Sequence, residues 1–296
     1  MIKFGGPVFL DSTAKSAGAA ESHGATVFDP EKLVQKHVEK GFKAAYAPQI
    51  DVNDTDKVRQ TRKAFEDADI VIAEVGYWDN LLDLNQENRK AKHQKMLEAL
   101  YLAEELGARC TVNTIGSYCE GSFALEHKAE NFTEDAFNEA VDNARYFIDK
   151  VKPKTASFTY EIYQFSNNDS PEGLEKLLKA VDRSQFGIHL DLVNLANCPR
   201  AYFSHLDVLR DVIKRVGSRI VCSHVKDVQL INGEITVVLK EVLPGTGYIN
   251  IGAYVREVNK LPQLVPMLME HLGSEAEYDA AAANIRKAAS VEGIVI

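Results

Sequence analysis

The sequence predicts a closed (β/α)8 barrel, a single α/β domain spanning residues 1–296, and three observations carry that expectation. Short apolar runs alternate with longer amphipathic runs along the whole chain, the rhythm of crossover units that lay strands parallel. No shift in composition marks a boundary between two domains. The Gly-x-Gly-x-x-Gly turn of a dinucleotide-binding sheet is missing after the first strand, which puts an open doubly wound sheet second. A length of 296 residues is compatible with one barrel.

The elements follow in order. Ile2–Phe4 reads as the first strand, broken at Gly5-Gly6-Pro7, and a long loop rich in Ser, Ala and Gly leads to Asp29. Asp29-Pro30-Glu31 combines a cap, a proline at the first helical position and an acid in the first turn, so a helix runs from Pro30 to Lys40 and stops at Gly41. Lys43–Pro48 is the second strand, and Asn53-Asp54-Thr55 caps a helix through Asp67. Ile70–Val75 is the third strand, leading into Gly76-Tyr77-Trp78; a helix over Gln86–Leu106 ends at Gly107. Ala108–Thr114 is the fourth strand, and a loop over 115–131 precedes a helix capped by Thr133.

The second half repeats the rhythm. Thr155–Ile162 is followed by the cap Ser170-Pro171-Glu172 and a helix to Val181; Phe186–Val193 is followed by a helix over Tyr202–Val216 that Gly217 closes. Ile220–Val225 is the seventh strand. A detour over Gln229–Lys240 contains Ile231-Asn-Gly-Glu234, the signature of a hairpin turn. Pro244-Gly-Thr-Gly247 leads to a helix near Ile251–Asn259, then Leu264–Met269 is the eighth strand and Glu275–Ala289 the last helix.

Bulk properties narrow the function. A formal charge of −9 speaks against a nucleic-acid backbone as partner. Cys110, Cys119, Cys198 and Cys222 show no C-x-x-C spacing and read as reduced thiols of a cytoplasmic protein. Met1-Ile-Lys-Phe-Gly-Gly enters a strand at once, and no apolar stretch approaches the ~20 residues of a membrane span, so no membrane partner is expected.

The chemistry gathers at strand ends. In Arg219-Ile-Val-Cys-Ser-His224-Val-Lys226-Asp227, period-2 geometry puts Cys222, His224 and Lys226 on one side of a buried strand. The fifth, sixth and eighth strands run into Glu161, Asp191 and Glu270. In a barrel, the C-terminal strand ends form the active face. Three carboxylates packed together repel, and a divalent cation removes that repulsion. One imidazole with three carboxylates suits Mn2+ foremost, and also Mg2+, Co2+ or Zn2+; the absence of thiolates argues against a structural zinc site.

These residues resemble the xylose isomerase-like barrel superfamily, which holds sugar isomerases, ketose 3-epimerases, inosose-converting enzymes and endonuclease IV. The resemblance rests on Tyr160-Glu161, Gly187-Ile-His-Leu-Asp191, Ser223-His224-Val-Lys226-Asp227, Pro244-Gly-Thr-Gly247 and Met269-Glu270-His271. It implies Glu161, Asp191, His224 and Glu270 as ligands of one divalent ion, with Glu161 and Glu270 also the acid and base. The implied reaction is isomerisation or epimerisation of a ketose or related polyhydroxylated carbonyl compound. A proton moves beside the carbonyl, and the metal holds the enediolate charge as a Lewis acid. Related barrels often pair through their helices or rim loops, which leaves a homo-oligomer open.

The chain departs from the epimerase pattern at Asn194, where many epimerases carry a histidine. An amide binds a hydroxyl but carries no proton, which keeps a lyase or dehydratase of a 3-keto sugar, keto glycoside or inosose close behind. Arg200, in the following loop, is a candidate for an anionic or keto substrate, and Trp78 a candidate wall against a sugar ring. Lys226 is assigned to substrate or a ligand carboxylate, and Asn113 and Gln49 to substrate hydroxyls. Glu74 is placed with Trp78 beyond the third strand. His189 reads as a satisfied core histidine, and His271, of opposite parity to Glu270, as facing the helices. An endonuclease IV-like phosphodiesterase, which needs three zinc ions and more histidines, and a non-catalytic sugar-binding barrel are the remote alternatives.

Overall fold

In the computed structural model, which describes residues 2–10, 29–121 and 126–296, ten strands and ten helices follow one another. The strands are β1 (Ile2–Gly5), β2 (Ala44–Tyr46), β3 (Val71–Gly76), β4 (Cys110–Asn113), β5 (Ser157–Glu161), β6 (Phe186–Asp191), β7 (Ile220–Val225), β8 (Asp227–Leu230), β9 (Leu239–Val242) and β10 (Val265–Met269). Eight of them close a parallel barrel in the order β1-β10-β7-β6-β5-β4-β3-β2; β8 and β9 pair antiparallel as a separate hairpin. The expected (β/α)8 barrel is what the chain forms. Residues 11–28 of the expected first loop, and 122–125 of the loop after the fourth strand, lie outside the described residues.

The helices cover the outside: α1 (Pro30–Glu39), α2 (Thr55–Asp67), α3 (Gln86–Leu106), α4 (Glu134–Val151), α5 (Pro171–Val181), α6 (Leu192–Leu195), α7 (Pro199–Phe203), α8 (His205–Val216), α9 (Ile251–Asn259) and α10 (Glu275–Val291). The caps read from the sequence are present. Asp29 accepts from the Lys32 amide, Thr133 from Ala136 and Ser170 from Gly173. Gly107 closes α3 at φ 69°, a left-handed value that glycine adopts without strain. Among the described residues no helix is long and apolar enough to cross a membrane.

Three differences from the expected elements bear on the site. Strand six stops at Asp191 rather than Val193, because the Asp191 carboxylate caps the amides of Val193 (2.9 Å) and Asn194 (3.1 Å) and starts α6 there. The helix expected over Tyr202–Val216 is two helices, α7 and α8, separated at Ser204, whose hydroxyl and amide both donate to the Arg200 carbonyl. The expected turn is present at Asn232-Gly233, with Gly233 at φ 92°, but β8 and β9 do not run into it and instead flank residues 231–238. The base of this hairpin is held by Asp227, whose carboxylate accepts from the amides of Val228, Gly245, Gly247 and Ile249. A Cβ on Gly247 would stand 2.3 Å from Asp227 Oδ1, so this turn requires glycine.

Large apolar side chains pack between strands and helices, while the barrel interior is lined with small ones: Ala44, Ala73, Cys110 and Cys222, with Leu268. That thin lining leaves room above it for polar side chains.

Candidate active site

Register carries the polar side chains to one end of the barrel. β5 pairs with β6 so that Glu161 lies beside His189, β6 with β7 so that Asp191 lies beside His224, and β7 with β10 so that His224 lies beside Leu268. The β6–β7 register shifts between Ile188 and His189, which aligns the inward faces of the two strands. Ligand atoms of Glu161, Asp191, His224 and Glu270 thereby fall within 4.8 Å of one another, and all four residues are buried.

The contacts within the cluster are specific. His224 Nδ1 lies 2.7 Å from Glu161 Oε1 and 3.1 Å from Glu270 Oε1. The Lys226 ammonium, also buried, lies 2.8 Å from Asp191 Oδ2 and 2.8 Å from Glu270 Oε1. Asp191 Oδ2 and Glu270 Oε1 nevertheless take part in no aligned hydrogen bond. Two buried carboxylate oxygens with charge nearby but no directed donor suit a cation, and hard oxygens with one imidazole nitrogen are a donor set for a divalent ion.

The electrostatics separate these groups. Burial pushes the Asp191 carboxyl up to about 6, opposed by Lys226 and reinforced by the charges of Glu161 and Glu270. Burial also pushes Glu270 up, but His224, Lys226 and His271 outweigh it and hold its carboxyl well below the usual range. Burial pulls His224 down, yet Glu270, Glu74 and Glu161 together raise it well above the ordinary imidazole value. Lys226 behaves alike: burial lowers it, and Asp191 and Glu270 raise it further.

Of the residues singled out in the sequence, Glu161, Asp191, His224, Lys226 and Glu270 meet here. Asn113 does not. It shares the outward face of Tyr160, its register partner, and its amide meets Met96 of α3 and the amides of Thr114 and Asp79. Asn194 is buried at the site's edge with its amide donated to the Ile162 carbonyl (2.8 Å), so it ties the loop after β5. Arg200 is exposed on α7, away from the cluster's contacts. Trp78 is half-buried on the rim, its indole laid against Gly76.

Two expectations need correction. His271 does not face the helices. Its φ of 59° turns the side chain back over the mouth, with Nδ1 3.0 Å from Glu241 Oε2 and Nε2 3.7 Å from Glu270 Oε2. Glu241 on β9 also reaches Lys226 at 3.5 Å, and a cavity of about 280 Å3 lined by Lys226, Glu241, Glu270 and His271 opens there. Larger cavities, of about 740 and 630 Å3, lie beside Tyr118 and Tyr77, and none of the cluster's residues lines them. Glu74 is not beyond the third strand but within β3, fully buried, 2.6 Å from His189 Nε2 and 3.3 Å from His224 Nε2. A register shift between Ala45 and Tyr46 sets Glu74 beside Tyr46, pointing inward.

Comparison with known proteins bears on the fold and the family. The family described as xylose isomerase-like TIM barrel matches residues 19–289. No protein of curated function matches the chain in sequence. A xylose isomerase-like TIM barrel protein from Mycobacterium smegmatis, solved in complex with magnesium, is similar with a TM-score of 0.62 and 16% identity, over 88% of this chain and 87% of that one. The probable 3-DHS dehydratase AsbF from Bacillus anthracis gives 0.61 and 15%, over 88% and 93%. D-psicose 3-epimerase with D-tagatose from Clostridium cellulolyticum H10 gives 0.60 and 14%, over 90% and 93%. At such identities the likeness is one of fold.

Proposed function

Since the chain belongs to the xylose isomerase-like TIM-barrel family, we propose that it is a divalent-metal-dependent isomerase or epimerase of a ketose or related polyhydroxylated carbonyl compound. One observation carries the reading: four ligand-bearing side chains from β5, β6, β7 and the end of β10 converge within 4.8 Å, buried at the face where barrels work. Glu161, Asp191, Glu270 and His224, the last through Nδ1, would hold the ion, with Mn2+ the first choice and Mg2+, Co2+ or Zn2+ compatible. Bound there, a divalent cation supplies Lewis-acid stabilisation of negative charge developing on a substrate oxygen.

The chain's own residues do the rest. Glu161 and Glu270 approach His224 from different strands, so one carboxylate takes the proton beside the carbonyl and the other returns it. Lys226 fixes Asp191 and Glu270 and offsets one of their charges. Three carboxylates, one ammonium and one divalent cation sum to zero, a balance suited to an uncharged sugar. Trp78 on the rim forms a wall, and the β8–β9 hairpin with Glu241 and His271 borders the entrance. The test is conversion of free ketoses by the metal-loaded protein. Activity lost in both Glu161→Gln and Glu270→Gln supports the reading; full activity in either contradicts it.

A second reading, elimination from a 3-keto sugar, keto glycoside or inosose, is favoured by Asn194, whose amide is spent on Ile162 and moves no proton. Conversion of 3-keto glycosides with free ketoses untouched selects it.

A further inference from the structure

Beneath the candidate metal cluster lies a second polar layer that the proposed reaction does not use. Glu74, His189 and His224 have side chains with no exposure at all. An isolated carboxylate there is costly, and an apolar residue of similar volume would pack instead. Glu74 Oε2 receives His189 Nε2 at 2.6 Å, faces His224 Nε2 at 3.3 Å and takes a weak contact from Cys222 Sγ at 3.6 Å. The rings of His189 and His224 stand edge to face, with centroids 4.3 Å apart and planes at 67°. The two nitrogens of His224 thus have separate assignments, Nδ1 to the cluster above and Nε2 to Glu74 below.

We propose that Glu74 is the positioning residue of this site: anchored by His189, it keeps the proton of His224 on Nε2 and aims Nδ1 at the metal. The inference rests on the proposed metal site. The reason is general. An imidazole ligand whose other nitrogen is committed to a carboxylate is fixed in tautomer and orientation, and is a stronger donor. His224 Nε2 makes no aligned hydrogen bond, and the carboxylate that faces it at 3.3 Å is that of Glu74. Glu74, His189 and His224 also form a three-donor group, and Glu74 Oε1 and His189 Nδ1 lack partners, which makes a second ion the competing reading. The upper cluster is the better place for an ion, since it offers four donors against three and borders the cavity at the mouth.

Three variants test the role by metal affinity, measured by chelator competition, and by side-chain nitrogen–proton correlation spectra of the Zn2+-loaded protein. Wild type is expected to bind one ion and to show His224 protonated at Nε2. Glu74→Gln is expected to bind 10–100-fold more weakly and to lose or shift that His224 signal. His189→Phe, which removes the donor that anchors Glu74, shifts affinity the same way by less. Cys110→Ser changes the same buried layer on the strand beside Glu74, where the thiol donates to the Ala73 carbonyl, without removing a side-chain contact of Glu74 or His224, and is expected to bind as wild type does. Wild-type affinity in Glu74→Gln, or an equal loss in Cys110→Ser, overturns the positioning role while leaving the metal site standing. Two ions per wild-type chain overturn it by making Glu74 a ligand, and no ion in wild type removes the proposed function and this inference together.

Discussion

The ammonium of Lys226 lies 2.8 Å from Asp191 Oδ2, an ion pair between adjacent strands with both side chains buried. The same nitrogen meets Glu270 at 2.8 Å, so one cation restrains two of the three clustered carboxylates. Replacing Lys226 by Met leaves those charges buried and uncompensated, and removing one partner of a buried pair costs about 3–5 kcal/mol. Urea unfolding of the metal-free variant is expected to show a loss of that order. Saturating Mn2+, which supplies the missing positive charge, is expected to recover more stability in Lys226→Met than in wild type. Equal gains from Mn2+ in the two proteins would mean that the ion does not meet Asp191 and Glu270.

Asp227 makes a second structural prediction. Its carboxylate accepts four backbone amides that bind the hairpin base and the Pro244–Gly247 turn to the end of β7. Asp227→Asn puts an amide donor where at least one backbone donor points, and an unsatisfied buried group costs about 1–3 kcal/mol. Hydrogen exchange at Gly245 and Gly247 is expected to quicken before exchange in the barrel strands does. Unchanged protection at these glycines would contradict the account.

His37 sets an acid limb of stability remote from the site. It is buried in α1, edge-on to Phe42 and Phe65 at 6.3 and 5.7 Å, with Nδ1 on the Leu33 carbonyl. Burial pulls its imidazole down to about 4, with the Leu33 carbonyl opposing. The unfolded residue, near 6.5, binds a proton that the folded one refuses. Its contribution is therefore complete above about pH 6.5 and drains away as pH falls toward 4, about 2 kcal/mol being lost by pH 5. In His37→Leu the fall in unfolding free energy between pH 7.5 and pH 5 should shrink by about that amount. An undiminished fall would show that His37 is not the group responsible.

The barrel was legible in the sequence because each strand is a short apolar run and each helix carries its own cap, as at Asp29, Thr133 and Ser170. Glu161, Asp191, His224, Lys226 and Glu270 were legible because period-2 alternation and barrel direction put them at the same height. What escaped depends on local departures from regularity. Glu74 turns inward through a β2–β3 register shift that no residue type announces. His271 reaches the mouth only because its backbone enters the left-handed region, an unusual choice for a residue other than glycine. Asn113 fails as a substrate group because the register with β5 gives it the parity of Tyr160, which faces α4. Asp227 was quoted only as part of a motif, since a buried aspartate that caps a distant turn cannot be told from a surface one without the fold.

The central claim is tested most directly by the metal content of the purified protein, measured beside Glu161→Gln and His224→Ala. The account predicts about one divalent ion per wild-type chain and loss of that ion in both variants. Wild-type protein that holds no ion after reconstitution with Mn2+, or variants that keep it, would contradict it.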